Sequence, residues 1–298
     1  MSFRETVKNL AHRSLSPAAL GAARNLRDAM LALSPHRHIL RSRFQKWNRA
    51  ASAGEIVLRP GLSVQIDPRS REPFEWFCFR SPEMTHELDA FLAESVRKKR
   101  FLDVGACHGL FALAFARGGA GRSVVAVEPS PQALEVLAAN FALNPWAEIR
   151  TEAVALAAAP GAIRMASEWH HLRAIPESAE GGVEIASRTL DDLCSSLGFP
   201  PDVIKIDVEG YEAAVLEGAA GTLAKTRPTL LLEVHPGYLR DLGRSSREVY
   251  RQLESAGYRA FTLSGRPLSG TRFAASETVF RCVFRPVAER SDAREATL

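Results

Sequence analysis

From Phe101 onward, short apolar stretches typical of buried β-strands alternate with segments of helical periodicity. The strand-like stretches are RFLDVG, SVVAVEP, AEIRTEAVA, PDVIKIDVEG, PTLLLEVH and YRAFTLS. Most are separated by helical patterns such as PQALEVLAANFAL and SREVYRQLESAGY. Because this alternation is typical of parallel strands joined by crossover helices, the sequence predicts an α/β fold with a doubly wound, mainly parallel sheet. The last apolar run, ETVFRCVFRP, is predicted to be an antiparallel edge strand.

The residues before this pattern differ from it in charge. Residues 1–50 carry ten Lys and Arg against two acidic residues, whereas the rest of the chain is net negative. We expect a basic helical extension there, which is either simply solvated or a surface for anionic lipid or an acidic partner. Residues 51–84 are predicted to form a β-hairpin lead-in, because EIVLRPGLSVQID reads as two strands joined at Pro-Gly. The main domain is then predicted at 85–286 and a polar tail at 287–298.

Cysteine usage and hydropathy limit the class of protein. The four cysteines are widely spaced without a CxxC pair, which argues against a disulfide scaffold and a cysteine zinc site and fits a reducing compartment. No apolar run approaches the roughly 18 to 20 residues of a membrane-spanning helix, and the arginine-rich N-terminus lacks a signal-peptide core. We therefore expect a cytoplasmic protein, with peripheral membrane contact through the basic segment left open. No nucleic-acid motif is found, so no nucleic-acid partner is expected, and the oligomeric state stays open.

Charged residues stand where the predicted strands end. PDVIKIDVEG carries Lys205, Asp207 and Glu209 within five positions, although a parallel strand covered on both faces is normally apolar. Since burying ions is costly, we expect these side chains at the rim of the sheet, where ligands bind in open α/β folds. Glu233 and His235 end the next predicted strand and are expected to face the same cleft.

The first predicted strand ends in a glycine-containing turn, DVGACHG. Only Gly105 and Gly109 are present, so the central glycine of a dinucleotide fingerprint is missing. Glu128 ends the second predicted strand, where an acid suits the paired hydroxyls of a ribose. Together with Asp103, this pattern favours S-adenosylmethionine, which has a ribose and an amino-acid tail but no pyrophosphate.

Five segments follow one another over roughly residues 100–236: FLDVGACHGLFALAFA, VVAVEPSPQALEVLAAN, RTLDDL, IKIDVEGYEAAVLEGA and LLLEVH. In this order they resemble the motifs of the FkbM family of S-adenosylmethionine-dependent methyltransferases. The resemblance implies a class I methyltransferase (Rossmann-like) fold and, usually, O-methylation of a hydroxyl on a small molecule, sugar or glycan, or secondary metabolite. It places Glu128 on the ribose and Asp207 and Glu209 in the active site. The complete set predicted to bind the cofactor is Asp103, Gly105, Ala106, Gly109, Glu128, Pro129, Ala153 and Asp207.

For catalysis, His235 is predicted to be the leading general base, because an unperturbed histidine pKa of roughly 6.5 suits proton transfer near neutral pH. Asp207 and Glu209 are predicted to orient or deprotonate the acceptor hydroxyl, and Glu233, which forms a second pair with His235 at the next strand end, completes the predicted catalytic set. Two alternatives stay open for these residues, a structural ion pair with Lys205 and a divalent-metal site; the metal site is not favoured, and no metal ligand is predicted.

EWHHLR, between the third and fourth predicted strands, is expected to be an irregular loop, either plain surface or a segment that helps to hold the acceptor. A non-catalytic S-adenosylmethionine-binding or scaffold protein remains the alternative to an enzyme.

Overall fold

The computed structural model of the chain describes residues 54–168, 171–176 and 178–287. The predicted helical extension at 1–50 and all but the first residue of the predicted polar tail lie outside the described residues. The strands are β1 (Glu55–Arg59), β2 (Leu62–Gln65), β3 (Arg100–Val104), β4 (Ser123–Val127), β5 (Glu148–Glu152), β6 (Ala155–Leu156), β7 (Gly161–Glu168), β8 (His171–Ala174), β9 (Val183–Arg188), β10 (Val203–Ile206), β11 (Thr229–Val234), β12 (Tyr258–Thr262) and β13 (Phe280–Pro286).

The main sheet has seven strands in the order β12-β13-β11-β10-β3-β4-β5. The strands from β11 through β10, β3 and β4 to β5 run parallel, whereas β13 is antiparallel to both of its neighbours. The predicted doubly wound, mainly parallel α/β sheet is therefore confirmed, together with its antiparallel strand. That strand lies one position inside the edge, because β13 inserts between β11 and β12 and leaves β12 outermost.

The helices are α1 (Arg71–Glu75), α2 (Pro82–Glu94), α3 (Leu110–Arg117), α4 (Pro131–Ala142), α5 (Leu190–Leu197), α6 (Glu212–Glu217), α7 (Ala220–Thr226), α8 (Pro236–Asp241), α9 (Ser246–Ser255) and α10 (Gly270–Ala274). Several begin at a serine whose side-chain oxygen accepts a backbone N–H, as Ser81 does for α2 and Ser130 for α4. Within the described part of the chain, no helix combines the length and the apolar character needed to cross a membrane.

Two apolar layers cover the main sheet, because successive residues of a strand point to opposite faces. Leu102 and Ile204 lie in one layer, and Phe101 and Val203 lie in the other. The second layer is completed by the β1–β2 hairpin through Ile56 and its neighbours. The predicted hairpin is thus present and packs on the same core, although the rest of the predicted lead-in, between residues 68 and 80, is helical. The division into a lead-in and a main domain stays a prediction.

A second, four-stranded sheet in the order β6-β9-β7-β8 follows β5 in the chain. It occupies the region expected to be an irregular loop, and β7 and β8 form an antiparallel pair there, with Trp169 and His170 outside the described residues. The expectation of a loop is wrong because the strand signal is weak: in β7 only Ile163 and Met165 alternate as larger apolar side chains. This sheet closes one side of the cavity described next.

Candidate active site

The turn after β3 is shaped by the backbone that follows β10. Gly105 has a φ of +81°, and a Cβ placed on it would lie 1.8 Å from the carbonyl oxygen of Asp207. Its amide also donates to the carbonyl oxygen of Val127, at the end of β4, over 3.0 Å. Only glycine fits such a position, since it combines a left-handed backbone with a close backbone neighbour. Gly105 therefore holds three strand ends together.

Gly109, the second glycine of the turn, precedes α3 with a φ of +80°. A Cβ on it would lie 2.6 Å from Phe141 and 2.7 Å from Leu137, which both belong to α4. The residue lines neither of the two cavities at the edge of the sheet. The sequence predicts that Gly109 contacts the cofactor. In the structure, Gly109 instead lets the start of α3 pack closely against α4.

Glu128 is held in place by two backbone amides. Its Oε2 accepts the N–H of Cys107 and its Oε1 accepts the N–H of Ser130, each over 2.8 Å. The side chain is buried, and burial raises the pKa of its carboxyl to about 7. A carboxylate oxygen has a second lone pair, so both oxygens can still accept ligand hydroxyls.

A cavity, which we call the nucleoside cavity, lies beside Glu128 at the carboxyl ends of β3, β4 and β10. Its polar wall includes Glu128, Asp207 and Glu209, and Pro129 lies in the wall as predicted. Ala153 does not, because it is exposed. Its apolar wall is formed by the residues that follow β5 and by the second sheet, namely Val154, Ala155, Leu156, Ile163, Met165 and Leu172. A buried acid opposite an apolar slot fits the ribose and the base of a nucleoside.

A second cavity, which we call the acceptor cavity, opens on the other side of the same strand ends. It shares Gly105, Cys107, Asp207 and Glu209 with the nucleoside cavity. Ala106, predicted to contact the cofactor, lies on this side. The outer wall comes from the helical segment before α2, from the first turn of α2 and from α3, namely Pro73, Phe74, Trp76, Phe77, Met84, Leu110 and Phe111.

Lys205 is buried between the acceptor cavity and α2. Its Nζ lies 2.7 Å from Oδ2 of Asp207 and 3.7 Å from Oε1 of Glu87, above the ring of Phe111. Burial alone would lower the pKa of Lys205, but Asp207 and Glu87 raise it. The pKa of Asp207 is lowered in turn, because Lys205 and His235 outweigh the effect of burial. The predicted ion pair is therefore formed by Asp207, while Glu209 turns towards His235.

Arg281, on β13, supplies the second buried cation. It forms ion pairs with Glu233, with Glu87 over 2.7 Å and with Glu83 over 2.7 Å. Glu233, predicted to be catalytic, lines the acceptor cavity. Burial and the neighbouring carboxylates raise the pKa of Glu233 above its usual range. The contact with Arg281 fixes the position of Glu233 at the cavity floor.

Asp103 lies within β3 and has 1% of its surface exposed. It lines neither cavity, and its register partner across the sheet is Lys205. Both of its carboxylate oxygens are buried without a hydrogen-bond partner among the described residues. Burial raises the pKa of Asp103 to about 7, against the opposing charge of Lys205. Direct contact with the cofactor, which the sequence predicts, is not supported by this position.

His235 is buried at the end of β11 and lines neither cavity. Its Nδ1 lies 2.7 Å from Oε1 of Glu212, and its Nε2 lies 3.2 Å from Oε2 of Glu209 and 3.8 Å from Oε1 of Glu233. Although burial opposes it, the hydrogen bond to Glu212 and the nearby carboxylates raise the pKa of His235 to about 9. The premise that this histidine has an ordinary pKa is therefore wrong, because carboxylates surround the ring.

Asp207, Glu233 and His235 also bring one possible metal-ligand atom each to within 4.8 Å of one another. A divalent ion is compatible with this donor set. Two of the three are, however, already paired with cations, Asp207 with Lys205 and Glu233 with Arg281. The preference against a metal site stays a prediction.

Three buried residues of this network are missing from the sequence-based set: Glu87, Glu212 and Arg281. They come from α2, α6 and β13, which are far apart along the chain. One signal was available for Glu87, which lies four residues before Phe91 and so falls on the apolar stripe of α2. An acid on such a stripe needs a buried partner.

A mainly parallel sheet with a buried acid after its second parallel strand, and a cavity at that edge, is the arrangement in which Rossmann-like proteins bind a nucleoside-containing ligand. The sequence profile of the methyltransferase FkbM domain matches residues 103–260, more than half of the chain, and the chain therefore belongs to that family. The predicted family, and with it the predicted enzyme class of methyltransferase, is confirmed.

Among curated proteins, the chain is 27% identical over 192 residues to the 2-O-methyltransferase NoeI of Sinorhizobium fredii (strain NBRC 101917 / NGR234). This alignment covers 57% of this chain and 77% of NoeI. Among solved structures, methyltransferase FkbM from Methylobacillus flagellatus KT matches with a TM-score of 0.41 and 18% identity, over 63% of this chain and 43% of that protein. The O-methyltransferase from Bacillus cereus in complex with SAH matches with a TM-score of 0.41 and 14% identity, over 87% and 96%. The chain thus spans less than half the length of the Methylobacillus protein.

Proposed function

We propose that the chain is an S-adenosylmethionine-dependent O-methyltransferase that acts on a hydroxyl of a small molecule, a sugar or glycan, or a secondary metabolite. The observation that carries the proposal is the meeting of the nucleoside cavity and the acceptor cavity at Gly105, Asp207 and Glu209. Membership of a methyltransferase family and likeness to a 2-O-methyltransferase support it.

The residues of the nucleoside cavity fit the cofactor. Glu128 is placed to accept the two ribose hydroxyls, since each of its oxygens retains a free lone pair. Val154, Leu156 and Ile163 offer an apolar slot for the base. S-adenosylmethionine supplies a methyl group that its positive sulfur already activates for transfer.

The protein's own task is to align the acceptor hydroxyl, exclude water and take up the hydroxyl proton. Glu209 is the best-placed group for the proton, because it lines both cavities and its side chain keeps 25% of its surface exposed. His235 lines neither cavity, and we assign it the positioning of Glu209. Glu209 also has a φ of +49°, a strained backbone for a residue other than glycine, and such strain is concentrated at functional sites.

The proposal is tested by incubating the purified chain with methyl-labelled S-adenosylmethionine and a cell extract, followed by mass spectrometry of labelled products. With the wild type we expect a product that carries the labelled methyl group on oxygen, and with Glu209→Gln at least a hundredfold less of it. Calorimetry with S-adenosylhomocysteine runs alongside. If both proteins bind S-adenosylhomocysteine and neither labels any compound, the non-catalytic alternative is correct. A product labelled on nitrogen would contradict O-methylation.

A further inference from the structure

The outer wall of the acceptor cavity is built by a part of the chain that the family profile does not cover. Pro73, Phe74, Trp76, Phe77 and Met84 all precede residue 103, where the profile match begins. The floor, in contrast, comes from the family motifs at the strand ends. Features of the acceptor that are specific to this protein are therefore expected to be recognised by the outer wall.

Trp76 is the unusual residue of this wall. It has 43% of its surface exposed, whereas Phe74 and Cys78 beside it are 1% and 2% exposed. Phe77 packs edge-on against Phe111, with ring centroids 5.4 Å apart. Among the described residues, no aromatic or cationic side chain stacks on the Trp76 ring. Its broad apolar face is thus presented to the cavity and gains from being covered by a ligand.

The backbone around Trp76 points to the same role. Residues Trp76–Arg80 form a single π-helical turn between α1 and α2. Such π-helical turns are rare and are frequently found at functional sites. This turn brings Trp76 and Phe77 to the cavity, while Cys78 stays buried in the core.

The cavity floor restricts the charge of the ligand. Asp207, Glu209 and Glu233 line it, together with Lys205 and Arg281. Both cations are already committed, Lys205 to Asp207 and Glu87, and Arg281 to Glu83, Glu87 and Glu233. A carboxylate or phosphate on the acceptor would find both of these cations already paired with carboxylates of the protein. Ligand hydroxyls, in contrast, can donate to these carboxylates.

We propose that Trp76 is the stacking platform of an acceptor subsite for a neutral, hydroxyl-rich ring of the pyranose type, with Asp207, Glu209 and Glu233 as acceptors for its hydroxyls. A pyranose has an apolar face of C–H groups that suits the Trp76 ring and a rim of hydroxyls that suits the carboxylates. The proposal rests on the proposed function, because it takes this cavity as the place of the methyl acceptor.

Saturation-transfer NMR on the full-length chain, saturated with S-adenosylhomocysteine, tests this subsite. The probes are the methyl glycosides of glucose, galactose and mannose, and the methyl glycoside of glucuronic acid, which differs from the glucose probe at C6. At least one neutral glycoside is expected to bind at millimolar concentration. The glucuronide is expected to bind at least roughly tenfold more weakly, because its carboxylate faces the acidic floor.

Trp76→Ala is expected to weaken binding of the neutral glycoside at least roughly tenfold, and Trp76→Phe to weaken it less. The matched control is Trp146→Ala, since Trp146 is 44% exposed and lines neither cavity. Thermal unfolding and S-adenosylhomocysteine affinity report whether each variant is folded. If Trp76→Ala does not fold, Trp76→Leu replaces it, which keeps the apolar volume and removes the flat face.

The subsite would be contradicted if the wild type bound none of the neutral glycosides. It would also be contradicted if a folded Trp76→Ala or Trp76→Leu variant bound the neutral glycoside with wild-type affinity, or if the wild type bound the glucuronide as tightly as the neutral glycoside. Glycoside binding that depends on Trp76 without methyl transfer to any acceptor would instead contradict the proposed function and leave the subsite in place.

Discussion

Nδ1 of His235 donates a hydrogen bond to Oε1 of Glu212 over 2.7 Å, and both side chains are shielded from solvent. Glu212 is the first residue of α6, and the same oxygen also accepts the N–H of Gly210 over 3.0 Å. The ring is thereby fixed so that its other nitrogen faces Glu209, 3.2 Å away. A buried carboxylate thus orients an imidazolium, which in turn orients the carboxylate that faces the two cavities.

We expect Glu212→Gln to lower the turnover rate by roughly tenfold to a hundredfold, within the range of general acid–base contributions, because Glu209 loses its fixed support. The affinity for S-adenosylhomocysteine should stay unchanged, since Glu212 lines neither cavity. Removing this partner should also lower the pKa of His235 from about 9, which NMR titration of the ring protons measures. Glu217→Gln, on the same helix but partly exposed, is the matched control. A normal turnover rate in Glu212→Gln would contradict the positioning role.

Asp207 and Glu209 are expected to differ when each is replaced by its amide. Asp207→Asn leaves the ammonium of Lys205 with the more distant Glu87 as its remaining ion-pair partner among the described residues, so it should lower the free energy of unfolding by about 3 kcal/mol as well as activity. Glu209→Gln should lower turnover at least a hundredfold while changing stability by less than about 1 kcal/mol, because His235 keeps its closer carboxylate partner, Glu212. Urea unfolding and methyl-transfer assays on the same samples separate the two effects. Equal destabilisation by both changes would indicate that Glu209 is a structural residue.

Glu128 should make cofactor binding dependent on pH. Its carboxyl has a raised pKa of about 7, so it is charged above that pH and protonated below it. Only the charged form accepts two ribose hydroxyls in addition to its two backbone amides. The affinity for S-adenosylhomocysteine, measured by calorimetry, should therefore be full at pH 8 and fall as the pH drops to 6.

Glu128→Gln provides the control for this pH dependence. The variant should bind at least roughly tenfold more weakly at pH 8, the size expected for a lost charge-assisted hydrogen bond, and its affinity should change little between pH 6 and 8. Asp103 also has a pKa raised to about 7 and is retained in the variant. A pH dependence that survives in Glu128→Gln would assign the titration to another group, such as Asp103 or Glu233, and contradict the role of Glu128.

Activity should be insensitive to chelators. Lys205 and Arg281 already neutralise Asp207 and Glu233, so a divalent ion would have to displace two buried ion pairs to use them. We expect the initial rate of methyl transfer to be the same, within error, after treatment with EDTA and after addition of Mg²⁺ or Mn²⁺. Loss of activity with EDTA that returns on adding a metal would show that the acidic cluster is a metal site.

The sequence predicts the parallel sheet and the positions of Glu128, Asp207 and Glu209 because those features are local. Each depends on the point at which an apolar run stops, which can be read from neighbouring residues. The network behind them cannot be read this way, since Glu87 and Arg281 reach Lys205 and Glu233 only through tertiary packing.

Histidine protonation and the second sheet illustrate the same limit. The pKa of His235 depends on Glu212, which lies 23 residues away in the chain. The second sheet was not predicted because its strands pair with one another through weakly apolar residues. Ala153 belongs to the predicted cofactor-binding set, but it is exposed, and the next residue, Val154, lies in the cavity wall.

The backbone of Gly105 lies directly against the carbonyl group of Asp207. Gly105→Ala would add a Cβ 1.8 Å from that oxygen at a φ of +81°, so the strands β3 and β10 would have to separate. Gly61→Ala is the matched control, because Gly61 has a similar φ of +78° in the β1–β2 turn and no atom within 4 Å of the added Cβ. The control should lose only the roughly 1 to 2 kcal/mol of a left-handed alanine. Gly105→Ala should lose that amount plus a further 1 to 3 kcal/mol or more, of the order found for overpacked sites.

Urea unfolding of the two variants gives the comparison directly. We also expect Gly105→Ala to lose S-adenosylhomocysteine binding, because the moved strand ends carry residues of both cavities, while Gly61→Ala should bind like the wild type. Equal stability losses in the two variants would mean that backbone conformation alone requires glycine at position 105. A stable Gly105→Ala variant with normal binding would contradict the close contact between the ends of β3 and β10, on which the junction of the two cavities depends.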